Sequence, residues 1–274
     1  MRWQVGRGSS NISDRRGMGP AAIGGGGIGA LVLVAIGYFV FGDPNALQGL
    51  QQGAAVQQQP GVQGRPGDQG GEFVSQILGS TEDVWNAQFQ GDYQPPRTVL
   101  YEQATRTACG VGQAAMGPFY CPADRTVYLD LTFFRELDAK FGAPGDFAAA
   151  YVIAHEVGHH VQTLTGVSDQ VRRAQRAAGS RAEANRYSMA LELQADCYAG
   201  VWARQADAQR RWLDPGDIEA GLRAAAAVGD DTLQRRSSGR VVPDSFTHGS
   251  AAQRRQWFMT GYQSGDPTAC DTFR

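Results

Sequence analysis

Residues His155-Glu156-Val157-Gly158-His159 spell H-E-x-x-H. They follow an apolar run, Phe147-Ala148-Ala149-Ala150-Tyr151-Val152-Ile153-Ala154, that predicts a buried helix. Side chains four apart share one face of a helix. Two imidazoles at that spacing can grip one Zn²⁺ through ring nitrogens. Glu156, next to the first imidazole, is placed to take a proton from a water activated by that metal, which is the chemistry of amide hydrolysis. Three of the chain's four histidines, His155, His159 and His160, fall within this one short stretch, which weighs against a chance occurrence.

Catalytic zinc usually takes three protein ligands and keeps a fourth position for water. The segment Tyr187 to Trp202 predicts a second helix, and Glu192 and Asp196 lie four apart on it among Leu191, Leu193, Ala195, Cys197 and Tyr198. Such apolar company favours two recruited acids over a solvated pair. Glu192 is the candidate third ligand. Asp196 is placed to accept the free N–H of a ligating imidazole and fix its tautomer. His160 adjoins a ligand but points about 100° away around the helix, which predicts a packed or supporting residue.

H-E-x-x-H with a downstream E-x-x-x-D helix resembles the gluzincin metallopeptidases, the thermolysin-like class. Further stretches resemble the bacterial neutral zinc metallopeptidase family more closely. These are Thr107-Ala108-Cys109-Gly110, Gly117 to Pro122, Tyr128 to Leu131, Ala154 to His160, Leu191 to Cys197 and Ser245 to Ser250. The resemblance implies a zincin-like fold, one zinc ion per chain held by His155, His159 and Glu192, and Glu156 as catalytic base. In gluzincins a further histidine or tyrosine donates a hydrogen bond to the oxyanion. His248, in the polar turn Asp244 to Ser250, is the candidate for that task; a capping-turn histidine without one is the alternative.

The chain has 274 residues and a net charge of −2, so it carries no general attraction to nucleic acid. Every basic residue except Lys140 is arginine. Arg172, Arg173, Arg176, Arg181 and Arg186 lie between the two site helices, where a solvated face is the first reading and a groove for acidic substrate the second. Cys109, Cys121, Cys197 and Cys270 permit three pairings in an oxidising compartment. A Gly-rich loop between Cys109 and Cys121 favours a local staple, which leaves Cys197 to tie down Cys270. No C-x-x-C spacing supports a structural zinc.

Residues 21–41 carry no charge, and at 1.5 Å per residue they would span about 31 Å, matching a bilayer core. Arg2, Arg7, Arg15 and Arg16 precede them. The positive-inside rule therefore predicts a cytoplasmic basic tail over 1–20, a single transmembrane helix over 21–41, and the remainder of the chain outside the cytoplasm. Residues 42–71 are rich in Gln, Gly, Ala and Pro and predict a flexible linker. Residues 72–274 form the expected catalytic domain. Helices are expected over Phe73–Leu78, Thr81–Phe89, Thr132–Phe141 and Gly145–Leu164, the last ended by Gly166. Another opens at Asp214 as N-cap with Pro215 in its first turn. Strands are expected over Thr98–Tyr101 and Thr126–Leu131, the second either a sheet edge that pairs with a peptide or a plain core strand. The fold class is α+β, mostly helical, with a small sheet.

The expected protein is therefore a membrane-anchored zinc metallopeptidase acting on protein or peptide, its oligomeric state open. A hydrolase of cell-wall peptide or other amide bonds, and a non-catalytic zinc-binding module, are the alternatives.

Overall fold

The computed structural model describes residues 1–17, 61–64, 66–113, 116–141 and 145–273. Seven strands are described: β1 (Ile12–Asp14), β2 (Val62–Gln63), β3 (Arg97–Tyr101), β4 (Ala104–Thr107), β5 (Gly110–Gln113), β6 (Phe119–Cys121) and β7 (Thr126–Asp130). The α-helices are α1 (Gln69–Gln88), α2 (Thr132–Phe141), α3 (Asp146–Leu164), α4 (Val167–Ala177), α5 (Arg181–Arg210), α6 (Asp217–Ala227), α7 (Asp230–Ser238) and α8 (Ala251–Ser264). The mostly helical α+β expectation with a small sheet describes this architecture.

Helix α3 opens with an apolar run, and fifteen of its nineteen residues are buried, His155, Glu156, His160 and Gln162 among them. A helix buried on nearly all sides belongs at the centre of its domain. It packs against α1, α5 and α6, with Phe147, Tyr151, Trp202 and Phe258 forming part of the core. Two glycines set how closely α5 meets α8. A Cβ on Gly200 would lie 2.0 Å from the Phe258 carbonyl oxygen, and one on Gly261 would lie 1.9 Å from that of Cys197. Only glycine permits this approach.

The main sheet has the order β2-β1-β3-β7-β6. Strands β1, β3 and β7 run parallel, and β2 and β6 are antiparallel edges. Strand β7 is thus a core strand, and the edge nearest the helical layer is β6. Strands β4 and β5 form a separate hairpin. Disulfide Cys109–Cys121 ties that hairpin to β6, and Cys197–Cys270 ties the end of the chain to α5. Both pairs are the ones the loop argument favours.

The single-pass membrane arrangement does not hold. No helix among the described residues is long and apolar enough to cross a membrane, and residues 21–41 lie outside the described residues. The topology supplies a second reason. Strand β1 pairs with β2 (Ser13 with Gln63) and with β3 (Ser13 with Val99). Upstream, Ile12 is fully buried and Trp3 stacks edge-on against Phe73. The chain that leaves after residue 17 returns at residue 61 beside its point of departure. One crossing would strand the first residues on the opposite side from a sheet they help to build. The cytoplasmic-tail and external-domain assignment is overturned with it.

Candidate metal centre

Helices α3 and α5 cross where Gly158 leaves room. A Cβ there would lie 3.1 Å from the carbonyl oxygen of Ala195. This contact brings the H-E-x-x-H turn against the one that carries Glu192. His155 Nε2 lies 3.3 Å from Glu192 Oε2, and His159 Nε2 lies 3.4 Å from Glu192 Oε1. One atom from each of the three residues falls within 4.8 Å of the others. The imidazoles stand nearly perpendicular, with centroids 4.8 Å apart.

Both imidazoles are held from behind. His155 Nδ1 donates to Asp196 Oδ1 at 2.9 Å, which frees Nε2 to face Glu192. Asp196 is fully buried. Its other oxygen accepts from Arg254 Nε at 2.8 Å, and Arg254 Nη2 reaches Oδ1 at 3.0 Å. The Tyr151 hydroxyl also donates to Asp196 Oδ1. Burial opposes the charge on Asp196, yet Arg254 and His155 outweigh it and hold this carboxyl below its usual range. His159 Nδ1 meets Gln162 Oε1 at 2.8 Å.

The residues fit a divalent cation by their own chemistry. Two imidazoles with Nδ1 engaged and one carboxylate present a nitrogen–nitrogen–oxygen donor set of the kind zinc takes. Charge agrees. Burial alone would lower the pKa of His155, but Asp196 and Glu192 overcome it and push the imidazole up to about 10. The surrounding acids thus demand a positive charge at this spot. Burial also opposes the charge on Glu192, and the two imidazoles hold it well below the usual value. Glu156 is buried, and burial raises its pKa above the usual carboxylate range.

His248 sits in the turn before α8. Gly249 packs onto α5 there, and a Cβ on it would lie 3.1 Å from Leu193, the neighbour of Glu192. His248 Nδ1 lies 3.2 Å from Asp230 Oδ1. The other oxygen of Asp230 accepts the backbone N–H groups of Thr247, His248 and Gly249 at 2.8, 2.7 and 3.0 Å. Burial works against protonation of His248, but Asp230 and Glu192 raise its pKa overall. His160 points away from this cluster. Its Nε2 donates to the Gln94 carbonyl at 2.6 Å, and its Nδ1 lies 3.0 Å from the Tyr120 hydroxyl on β6. Burial drives its pKa down to about 4, so it is a neutral brace between α3 and the sheet edge. All five arginines of the α4–α5 cluster are exposed, the solvated-face arrangement.

Four supporting residues escape the motif reading: Tyr151, Gln162, Asp230 and Arg254. Tyr151 lies four residues before His155 on its face of α3, and Gln162 lies three after His159, so helical spacing could have found both. Asp230 and Arg254 arrive from distant elements and leave no local signal.

The model of the family described as "Putative neutral zinc metallopeptidase" matches residues 1–273. Among curated proteins, the chain is similar to "Uncharacterized protein YpfJ" of Escherichia coli (strain K12), 50% identical over 289 aligned residues that cover 100% of this chain and 99% of that one. It is also similar to "Uncharacterized protein Rv2575" of Mycobacterium tuberculosis (strain ATCC 25618 / H37Rv), 47% identical over 205 residues, which cover 71% of this chain and 67% of that one. No solved structure matches.

Proposed function

Since the chain belongs to this family of neutral zinc metallopeptidases, we propose that it hydrolyses peptide bonds, with His155, His159 and Glu192 as the zinc ligands. The observation that carries the reading is the convergence of those three side chains, with donor atoms within 4.8 Å of one another, on the helix turn that also carries Glu156. When bound, Zn²⁺ supplies Lewis acidity towards the scissile carbonyl and makes water nucleophilic near neutral pH.

The chain's own residues do the rest. Glu156, with its proton affinity raised by burial, takes the proton of the attacking water and delivers it to the departing amine. His248, whose pKa Asp230 and Glu192 raise against the effect of burial, donates a hydrogen bond to the oxygen that becomes negative in the tetrahedral intermediate. Asp196 holds His155 with Nε2 turned inward, and Arg254 and Tyr151 hold Asp196.

The test uses the full chain. Metal analysis and hydrolysis of a denatured protein are measured for the wild type, Glu156→Gln and Glu192→Ala. The reading expects about one zinc per chain in the wild type and in Glu156→Gln, cleavage only in the wild type, and weakened zinc in Glu192→Ala. Tight, undiminished zinc in Glu192→Ala would refute the ligand assignment. A zinc-replete wild type that cleaves nothing would refute the peptidase.

A further inference from the structure

The two histidines are braced by networks of different kinds. His155 leans on a charged pair, Asp196 and Arg254. His159 leans on a neutral one. Gln162, fully buried on α3, presents Oε1 to His159 Nδ1 at 2.8 Å. Its Nε2 donates to the Leu191 carbonyl at 2.7 Å and to Gln194 Oε1 at 3.1 Å. Gln194, also buried, donates its own Nε2 to the carbonyl of Cys270 at 2.9 Å. Cys270 is clamped to α5 by its disulfide with Cys197.

The direction of every bond in this relay is forced. A backbone carbonyl only accepts. Gln194 must therefore turn Nε2 to Cys270 and Oε1 to Gln162. Gln162 must then turn Nε2 towards Gln194 and Leu191, which leaves Oε1 for the imidazole. His159 consequently carries its hydrogen on Nδ1 and its lone pair on Nε2, the atom 3.4 Å from Glu192. Leu191, which supplies the second fixed carbonyl, immediately precedes Glu192 in the chain. A relay of amides thus sets the ligating tautomer, and its far end is fastened by a covalent bond that only an oxidising environment maintains.

We propose that Gln162 is the positioning residue for His159, and that the Cys197–Cys270 disulfide anchors the relay that orients it, so that zinc retention depends on that disulfide. The proposal rests on the reading of His155, His159 and Glu192 as zinc ligands. Losing a hydrogen-bond partner behind a ligating histidine typically weakens metal binding about 10- to 100-fold.

The experiment measures zinc affinity of the full-length protein by competition with a chromophoric chelator. Long-range nitrogen–proton NMR of the zinc-free form reports the His159 tautomer. Gln162→Met keeps the volume and removes the amide. It is expected to bind zinc roughly 10- to 100-fold more weakly and to populate both tautomers. Gln194→Met leaves Gln162 its Leu191 acceptor and should lose roughly three- to tenfold, about one hydrogen bond. The double variant Cys197→Ala/Cys270→Ala frees the terminal carbonyl and should release zinc faster. Should Gln162→Met not fold, the two gentler variants carry the test. Folded variants with wild-type zinc affinity and the Nδ1–H tautomer intact would overturn the relay. A wild type that takes up no zinc would instead overturn the metal centre beneath it.

Discussion

Arg254 offers the sharpest test of how the site is held. Its side chain is 4% exposed and its partner Asp196 is fully buried. Replacing it by Met removes bonds of 2.8 and 3.0 Å to the two oxygens of Asp196, along with those to Tyr151 and to the Val228 carbonyl. Asp196 then keeps its charge in a site where burial opposes ionisation, with only His155 and Tyr151 left beside it. Breaking a buried pair from one side costs about 3–5 kcal/mol. At about 2–4 °C per kcal/mol for a domain of this size, the midpoint of thermal unfolding should fall by about 6–20 °C. The exposed pair Arg235–Asp231, with Arg235 59% exposed, is the control; Arg235→Met should cost about 1 kcal/mol or less. Urea denaturation of both variants in chelator isolates the chain from any metal contribution. The double variant Arg254→Met/Asp196→Asn should cost clearly less than the sum of its parts, by about 1 kcal/mol or more. If Arg254→Met lost no more than the Arg235 control, the buried pair would not be what holds α8 to α3 and α5, and the account of His155 positioning would fail.

Three further outcomes are expected. Glu156→Gln should keep zinc while hydrolysis falls about 10²- to 10⁴-fold; a loss of zinc instead would make Glu156 a ligand or a structural acid. His248 must be protonated to donate, and its pKa is raised by Asp230 and Glu192. The contribution of His248 should therefore be fully present below the ordinary histidine value and be lost as pH rises through the raised one, while protonation of Glu156 sets the acid limb of activity. Asp230→Asn should move that alkaline limb to lower pH, as read from kcat/KM profiles, and an unmoved limb would detach His248 from catalysis. The disulfides differ in the loops they close, with sequence separations of 12 and 73 residues. Chain entropy predicts losses of about 3 kcal/mol for Cys109→Ala/Cys121→Ala and about 4 kcal/mol for Cys197→Ala/Cys270→Ala, an order that denaturant titration can reverse or uphold.

The two helices that bring the ligand candidates together are legible in the sequence because each carries an apolar run with acids or imidazoles four apart. Spacing on a helix is local information, and it is enough to put His155 and His159 on one helix face and Glu192 and Asp196 on another. Long-range partners leave no such mark. Arg254 looks like one more arginine in a helix, and only the glycine-lined contact between α5 and α8 makes it a buried counter-charge. Helix α1 reads as two helices because Gly79-Ser80 resembles a break. In the fold it is one helix, and Gly79 serves another purpose: a Cβ there would lie 2.2 Å from the Arg7 carbonyl oxygen, where the first residues of the chain cross it. Asp214 does not cap α6, which begins one turn later behind Gly216 at φ 93°. Strands β1 and β2 are too short to show alternation, so hydropathy alone dictates the expected topology of residues 21–41. A hydropathy count sees a segment and not the two ends that must meet again.

That meeting of ends has a practical corollary. Strand β1 lies between β2 and β3, so a fragment beginning at Glu72 would present the backbone of β3 bare along one side, ready to recruit another polypeptide. Nicking the intact molecule anywhere between residues 18 and 60 is a different matter. The first seventeen residues would stay lodged by their strand bonds, by Ile12 and by Trp3, and the two pieces should travel together through a sizing column until denaturant parts them.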